Sequence, residues 1–203
     1  MPYQPLLPGF QEPPPQRPQP LGERPRNDHL FLAVLPEPDA TSCIFNLGQL
    51  ELAKHGLRGK PIAKQRLHVT PASLGHFSGR PEWIIAVADA AARATAAATS
   101  PFDVGFNRAG SFVGRPDNRP FVLRDRGDNA ALMTFQQRLW ADLGGKGRSA
   151  FTPHVTLLYD EQLVPEEEVR PVRWTVSEFV LIHSFVGHSR YETLGRWTLR
   201  GRH

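Results

Sequence analysis

The chain contains a single cysteine, Cys43, among its 203 residues. One thiol cannot close an internal disulfide, and no group of cysteines and histidines has the spacing of a zinc site. The N-terminus also lacks the positively charged start and the apolar core of a secretory signal. These absences predict a protein of the reducing cytoplasm.

Long apolar runs and glycine-rich nucleotide loops are missing as well. No stretch reaches the roughly 18 to 20 apolar residues that a membrane-spanning helix needs. Neither Gly-x-Gly-x-x-Gly nor Gly-x-x-x-x-Gly-Lys-Ser/Thr follows a predicted strand. We therefore expect no membrane partner, and nothing in the sequence supports a glycine-loop nucleotide site.

Proline is plentiful, and its distribution divides the chain. Nine of the 20 prolines fall within residues 1–27, where they fix φ and remove backbone donors. This composition predicts a disordered or polyproline-II tail over residues 1–27. We interpret the tail as an inert extension rather than a docking segment, and we expect residues 28–203 to form the folded domain.

The charge of the chain suits an anionic partner. The formal net charge is +4 and the sequence pI is about 9.6, with arginine dominating over lysine. Such a balance fits RNA or a phosphorylated small molecule, and arginine grips phosphate through two parallel hydrogen bonds. Many basic proteins bind no nucleic acid, however, so the functional argument depends on motifs.

Hydrophobic periodicity predicts an α+β fold in which helices pack on antiparallel sheets. The alanine-rich second helix gives the clearest helical pattern. The predicted helices cover about residues 39–57, 81–98 and 128–143. The predicted strands cover about residues 29–35, 66–74, 102–114, 119–125, 152–160, 172–187 and 191–201. The last two strands are expected to form a hairpin.

The tripeptide His-Val-Thr occurs twice, at residues 68–70 and 154–156, each time on a predicted strand. Side chains at positions i and i+2 of a strand point the same way. The histidine and threonine of each copy therefore share a face, and the valine between them points into the core. A lone histidine on a strand is more often structural than catalytic, but the duplication in matching contexts favours a functional pair.

Two imidazoles that face one cleft suit the opening of a cyclic phosphodiester. Histidine titrates near neutral pH, so one ring can take a proton from water while the other gives a proton to the leaving oxygen. This chemistry needs no metal and no other cofactor. The hydroxyls of Thr70 and Thr156 would donate hydrogen bonds to the non-bridging phosphate oxygens, where charge grows in the transition state.

The blocks RLHVTPASLG and FTPHVTLLYD, with SFVGRPDNRPFVL and HSFVGHSRYETLGRWTL, resemble the two-histidine (2H) phosphoesterase superfamily. The resemblance covers about residues 29–200 and is closest to bacterial 2'-5' RNA ligase-like proteins, which are RNA 2',3'-cyclic phosphodiesterases. It implies two lobes, each an antiparallel sheet with outer helices, related by a pseudo-two-fold axis with the active-site groove between them. It also implies His68 and His154 as the catalytic pair, with Thr70 and Thr156 holding the phosphate.

The chain departs from the family pattern directly after each motif. Pro71 stands where the family usually has leucine, so the strand is expected to end, bulge or lie at an edge there. Ala72 and Tyr159 stand where a basic residue often follows, so phosphate or base contacts and the substrate preference are expected to differ.

Other residues must then contact the substrate, and Phe112, Arg115 and Tyr159 are the preferred candidates. The further candidates are Arg66, Arg119, Phe77 and Phe185. His76, His183 and His188 have no repeated context and are expected to be structural or surface residues.

The predicted function is hydrolysis of 2',3'-cyclic phosphate ends of RNA or nucleotides to 2'-phosphates, by a monomer. Cleavage of a 2'-5'-linked oligonucleotide, turnover of a small cyclic nucleotide and ligation in the reverse direction remain alternatives on the same fold. A non-catalytic module that binds RNA or nucleotide ends is an alternative of another class. A final alternative is an interaction role through the proline-rich tail.

Overall fold

The computed structural model describes residues 27–127, 129–147, 149–188 and 190–201. The predicted tail lies outside these residues except for Asn27, which opens the first strand. The helices in the described part are α1 (Pro38–His55), α2 (Glu82–Ala98) and α3 (Ala130–Asp142). The strands there are β1 (Asn27–Val34), β2 (Val69–Ser78), β3 (Phe102–Ser111), β4 (Arg119–Arg124), β5 (His154–Asp160), β6 (Glu167–Val176), β7 (Glu178–Phe185) and β8 (Arg190–Thr198).

The strands form two four-stranded antiparallel sheets, and the fold is α+β as predicted. Lobe A contains the sheet with strand order β2-β1-β7-β8, and lobe B contains the sheet with order β5-β4-β3-β6. A His-Val-Thr strand lies at one edge of each sheet, next to a central strand. The two lobes are therefore built alike, with β2 of one sheet corresponding to β5 of the other.

The expected strand over residues 172–187 is wrong, because this segment forms parts of two strands. β6 pairs with β3 in lobe B, and β7 pairs with β1 in lobe A, so the chain crosses between the sheets at Ser177. Val176 and Phe179 on either side of the crossing are both buried. The apolar pattern thus runs on through the crossing without a turn residue to mark it. The hairpin is confirmed, because β7 and β8 pair antiparallel.

One large hydrophobic core spans both lobes, between the sheets and the helices. α1 contacts β5 and β6, α2 contacts α3 and β8, and α3 contacts both β3 and β2, so it joins the lobes. Val69 and Val155, the central residues of the two motifs, are fully buried in this core, as predicted. Among the helices of the described residues, none combines the length and apolarity that crossing a bilayer would require.

Pro71 lies at a β-bulge on an edge strand. Residues 32–34 of β1 pair with residues 69–72 of β2, so three residues stand opposite four. A bulged residue drops out of the ladder, and proline lacks the N–H that a ladder position would use. β5 has an extra residue at the same place after its motif, Leu157. Pro71 is buried and its carbonyl accepts a hydrogen bond of 3.3 Å from Gln136 Nε2 of α3, so it serves the fold.

Candidate active site

The two motif histidines are held in the same way. His154 begins β5, and His68 directly precedes β2. His68 Nδ1 lies 2.6 Å from the Arg66 carbonyl oxygen, and His154 Nδ1 lies 2.7 Å from the Thr152 carbonyl oxygen. A carbonyl oxygen only accepts, so Nδ1 of each neutral ring carries the proton. Nε2 of each ring is therefore the atom left to take or give a proton.

Burial lowers the pKa of both imidazoles. Desolvation brings the pKa of His68 to about 4; the hydrogen bond to the Arg66 carbonyl opposes this shift, and the charges of His154 and Arg66 add to it. Desolvation also lowers the pKa of His154, the hydrogen bond to Thr152 opposes it, and the Arg124 charge adds to it. The two motif strands, β2 and β5, contact each other across the lobes, and the electrostatic effect of His154 on His68 agrees with neighbouring rings. Both rings are neutral at pH 7 when no anion is bound.

In lobe B, an aromatic ring and an arginine accompany His154. The ring of Phe112 meets the imidazole edge-on, with centroids 5.0 Å apart and planes at 77°. The Arg124 guanidinium lies 5.3 Å from the centre of the Phe112 ring and forms an ion pair with Glu166. Arg124 Nε is buried and has no hydrogen-bond partner among the described residues. Phe112 thus lies beside His154, and its contact with substrate stays a prediction.

In lobe A, the same arrangement surrounds His68. The ring of Tyr191 meets the imidazole edge-on, with centroids 5.8 Å apart and planes at 71°. The Arg66 guanidinium lies 4.7 Å from the centre of the Tyr191 ring, and the buried Arg66 Nε finds no hydrogen-bond partner within the described chain. Phe31 stacks on the same imidazole at 4.8 Å and also contacts Tyr191. Each lobe therefore contributes a histidine, an edge-on aromatic ring and an arginine, and lobe A adds the ring of Phe31.

Tyr159, another predicted contact, joins the two halves of the site. Its hydroxyl lies near the Thr156 side chain, which is one of the groups that affect its pKa. Desolvation raises its pKa, the nearby Tyr191 raises it further, and Thr156 and Arg66 oppose the shift. Since Tyr191 and Arg66 belong to lobe A, the hydroxyl of Tyr159 lies where the lobes meet. It stays protonated at neutral pH and can donate a hydrogen bond.

The other predicted contacts lie in different surroundings. Arg115 is exposed in the connection between β3 and β4, where it pairs with Asn118, and its contact with substrate stays a prediction. Arg119 donates to the carbonyl oxygens of Pro116 and Glu161. Phe77 packs against the main core, and Phe185 lies beside His183 and under the Arg190 guanidinium.

Sequence reasoning did not single out Arg124, Tyr191 or Phe31. Arg124 is the register partner of His154 across β4 and β5, 30 residues away in the chain. Tyr191 and Phe31 reach His68 from β8 and β1. Only the pairing of strands brings these residues close to the motifs. A prediction of the strand register in each sheet would have been needed to identify them.

A separate cluster of metal-ligand types joins α1 to β6. Glu51, His55 and Glu167 offer ligand atoms within 4.8 Å of one another. His55 Nε2 lies 2.7 Å from Glu167 Oε1, and Lys54 Nζ lies 2.5 Å from the same oxygen. The ammonium group of Lys54 thus stands where a cation would be held, and the cluster reads as an ion-pair network.

The chain is similar to known proteins in sequence and in fold. A family model described as the 2'-5' RNA ligase superfamily matches residues 38–185, which include both motifs. The structure of the Thermus thermophilus protein TT0787 shares the fold, with 23% identity, a TM-score of 0.64 and coverage of 86% of this chain and 100% of that one. No curated protein sequence is significantly similar to the chain.

Two structures of E. coli LigT are also similar. LigT complexed with 3'-AMP is 25% identical with a TM-score of 0.67, and the match covers 85% of this chain and 98% of LigT. LigT complexed with phosphate is 26% identical with a TM-score of 0.64, and covers 86% and 98%. With the family model spanning most of the chain and both motifs, this protein belongs to the 2'-5' RNA ligase superfamily of 2H phosphoesterases.

Proposed function

We propose that the protein hydrolyses 2',3'-cyclic phosphate ends of RNA or nucleotides to 2'-phosphates by two-histidine acid–base catalysis. The observation that carries this proposal is the matched pair of imidazoles. His68 and His154 each donate Nδ1–H to a backbone carbonyl and leave Nε2 free. A reaction that moves one proton from water and one proton to a leaving oxygen uses two such nitrogens.

The step balances with water as the only co-reactant. The neutral imidazole takes a proton from water at Nε2 while the water oxygen attacks phosphorus. The bond between phosphorus and O3' breaks, and the protonated imidazole gives its Nε2 proton to O3'. The products are a 3'-hydroxyl and a 2'-phosphate, and each histidine ends in the ionisation state from which the other began. Which of the two is the base depends on which ring faces O3'.

Burial without a ligand keeps both rings neutral, so the substrate itself must help to protonate one of them. An anion between two imidazoles favours the imidazolium form and raises its pKa. Thr70 and Thr156, with the Tyr159 hydroxyl, provide neutral donors to the phosphate oxygens. Their hydrogen bonds strengthen as charge grows on these oxygens in the transition state.

The two arginines replace the basic residues that are missing after the motifs. Each guanidinium lies over an aromatic ring that contacts a histidine, and the buried Nε–H of each has no hydrogen-bond partner among the residues that the structure describes. A phosphate close to the histidines would attract both charges. E. coli LigT, a superfamily member, has been crystallised with phosphate and with 3'-AMP, which supports a nucleotide phosphate as the class of ligand.

Product analysis tests this proposal. The protein is incubated in EDTA with adenosine 2',3'-cyclic phosphate and with an oligonucleotide bearing the same end, and the products are separated from authentic 2'- and 3'-phosphates. We expect the 2'-phosphate. His68→Ala and His154→Ala should each lower kcat by about 100- to 10,000-fold, whereas His188→Ala, at an exposed turn, should not. Near wild-type turnover in either motif variant would contradict the mechanism, and tight binding without turnover would favour the non-catalytic module.

A further inference from the structure

A row of stacked rings leads away from His68 along lobe A. His68 stacks on Phe31 with centroids 4.8 Å apart, and Phe31 lies 4.9 Å from His29. His29 in turn stacks on His76, with centroids 4.5 Å apart and planes at 15°. We call these four residues the ring row. It begins at the candidate catalytic histidine and ends at a histidine that the sequence pattern marked as structural or surface.

The ring row lies on the face of the lobe A sheet that is turned away from the main core. Leu30 and Leu32 of β1 belong to the main core, whereas Phe31 belongs to a small separate cluster that includes the half-buried Tyr191. His29 and Phe31 alternate with those leucines, so they share the face of His68 and Tyr191. His76 is the register partner of His29 on the edge strand β2. The row therefore runs along the same face as the site.

The outer end of the row is suited to stacking. His29 Nε2 lies 2.8 Å from Ser73 Oγ, which fixes the plane of its ring. Desolvation, with the nearby His76 and His68, lowers the pKa of His29 to about 4, so the ring is neutral at pH 7. His76 is exposed, and His29 occupies one side of its ring. One face of the His76 ring is thus flat and open, and the neutral His29 ring stacks on its other face.

We propose that the exposed His76 ring, at the outer end of the ring row, stacks on a nucleotide base beyond the reacting end, so that the preferred substrate is single-stranded RNA with a terminal cyclic phosphate rather than a mononucleotide. This inference rests on the proposed function. Bases stack on aromatic rings in single-stranded nucleic acid sites, each contact being sequence-tolerant. Successive bases lie about 3.4 Å apart along a strand. Three successive ring contacts separate His76 from His68, so a base stacked on His76 would belong to a nucleotide beyond the reacting one.

The test compares two substrates in the wild type and in ring-row variants. kcat/KM is measured for uridine 2',3'-cyclic phosphate and for a uridine tetranucleotide with the same end, and their ratio is the readout. We expect the wild type to favour the tetranucleotide, and His76→Ala to lower this preference about 10-fold, mainly through KM. His76→Phe keeps a flat ring and should retain the preference. Gln49→Ala, on the exposed side of α1, is the matched control and should leave the ratio unchanged.

Equal kcat/KM for the two substrates in the wild type, or an unchanged ratio in His76→Ala, would overturn the inference. Loss of preference in His76→Phe as well would mean that histidine acts by its polar atoms, which also overturns stacking. Should the protein hydrolyse neither substrate, the proposed function fails, and the ring row is then tested by binding alone. Fluorescence anisotropy with a labelled tetranucleotide 3'-phosphate would support the row if His76→Ala binds about 10-fold more weakly, and would overturn it if binding is equal.

Discussion

Arg124 and His154 are register partners across β4 and β5, and the guanidinium lowers the pKa of the imidazole. The ion pair with Glu166 and the ring of Phe112 hold the arginine in place. Burial is the main reason that the pKa of His154 is lowered, and the Arg124 charge that adds to this effect is also the charge that would draw a phosphate towards the ring. A bound anion reverses the balance by favouring the imidazolium.

Arg124→Gln should raise the pKa of His154, because a positive neighbour no longer opposes protonation. It should also raise KM for a cyclic phosphate about 10- to 100-fold, since a charge-assisted contact is lost. NMR titration of the imidazole protons and steady-state kinetics measure the two effects. Arg126→Gln is the control, because this exposed arginine pairs with the same Glu166. An unchanged pKa of His154 would refute the electrostatic link.

The pH profile should differ between kcat/KM and kcat. Catalysis needs one neutral and one protonated imidazole, and the free protein holds the pKa of both below the ordinary value, with His68 at about 4. The singly protonated form therefore peaks below pH 6.5, and so should kcat/KM. The bound anion raises the pKa values, so kcat should peak at higher pH. A kcat/KM that rises steadily up to pH 8 would contradict this account.

Pro71→Leu should fold and keep activity within about threefold of the wild type. Pro71 lies at a bulge on an edge strand. A bulged residue makes no ladder hydrogen bond through its N–H, so the backbone does not require proline at this position. The β5 motif already has Leu157 at the corresponding place. Thermal unfolding should show a change of about 1 kcal/mol or less. A large loss of activity in a folded variant would show that Pro71 shapes the substrate preference after all.

The repeated motif predicted the residues that share a strand, and strand pairing supplied the rest. His-x-Thr at period two is visible in one segment, and its duplication points to the two candidate half-sites. Phe112 was predicted from a segment that resembles the family, and Tyr159 was predicted because it follows the second motif closely. Arg124 and Tyr191 depend on the register between distant strands, which composition and periodicity do not specify. The crossing at Ser177 was not predicted, for a related reason. Strands of both sheets show the same alternation of apolar residues, so the pattern does not reveal where the chain passes from one sheet to the other.

The two carboxylates of the α1–β6 cluster should respond in opposite ways to neutralisation. Burial raises the pKa of Glu51, its hydrogen bond with Glu167 adds to this, and Lys54 and His55 oppose it. The hydrogen bond from Lys54, followed by that from His55, lowers the pKa of Glu167 to about 2. The charge of Glu51 is thus unfavourable in the folded state, whereas the charge of Glu167 is favourable.

Glu51→Gln should leave the free energy of unfolding at pH 7.5 unchanged or raise it by up to about 1 kcal/mol, because it removes a buried charge and keeps the shape of the side chain. Glu167→Gln should lower it by about 1 kcal/mol, a modest figure because this carboxylate is partly exposed. Its contribution is fully present above the ordinary glutamate pKa near 4.5 and fades as the pH falls towards 2. Denaturant unfolding at pH 7.5 and pH 3 measures both signs. Equal destabilisation by the two substitutions would mean that Glu51 is held ionised and paired, against the direction of its pKa.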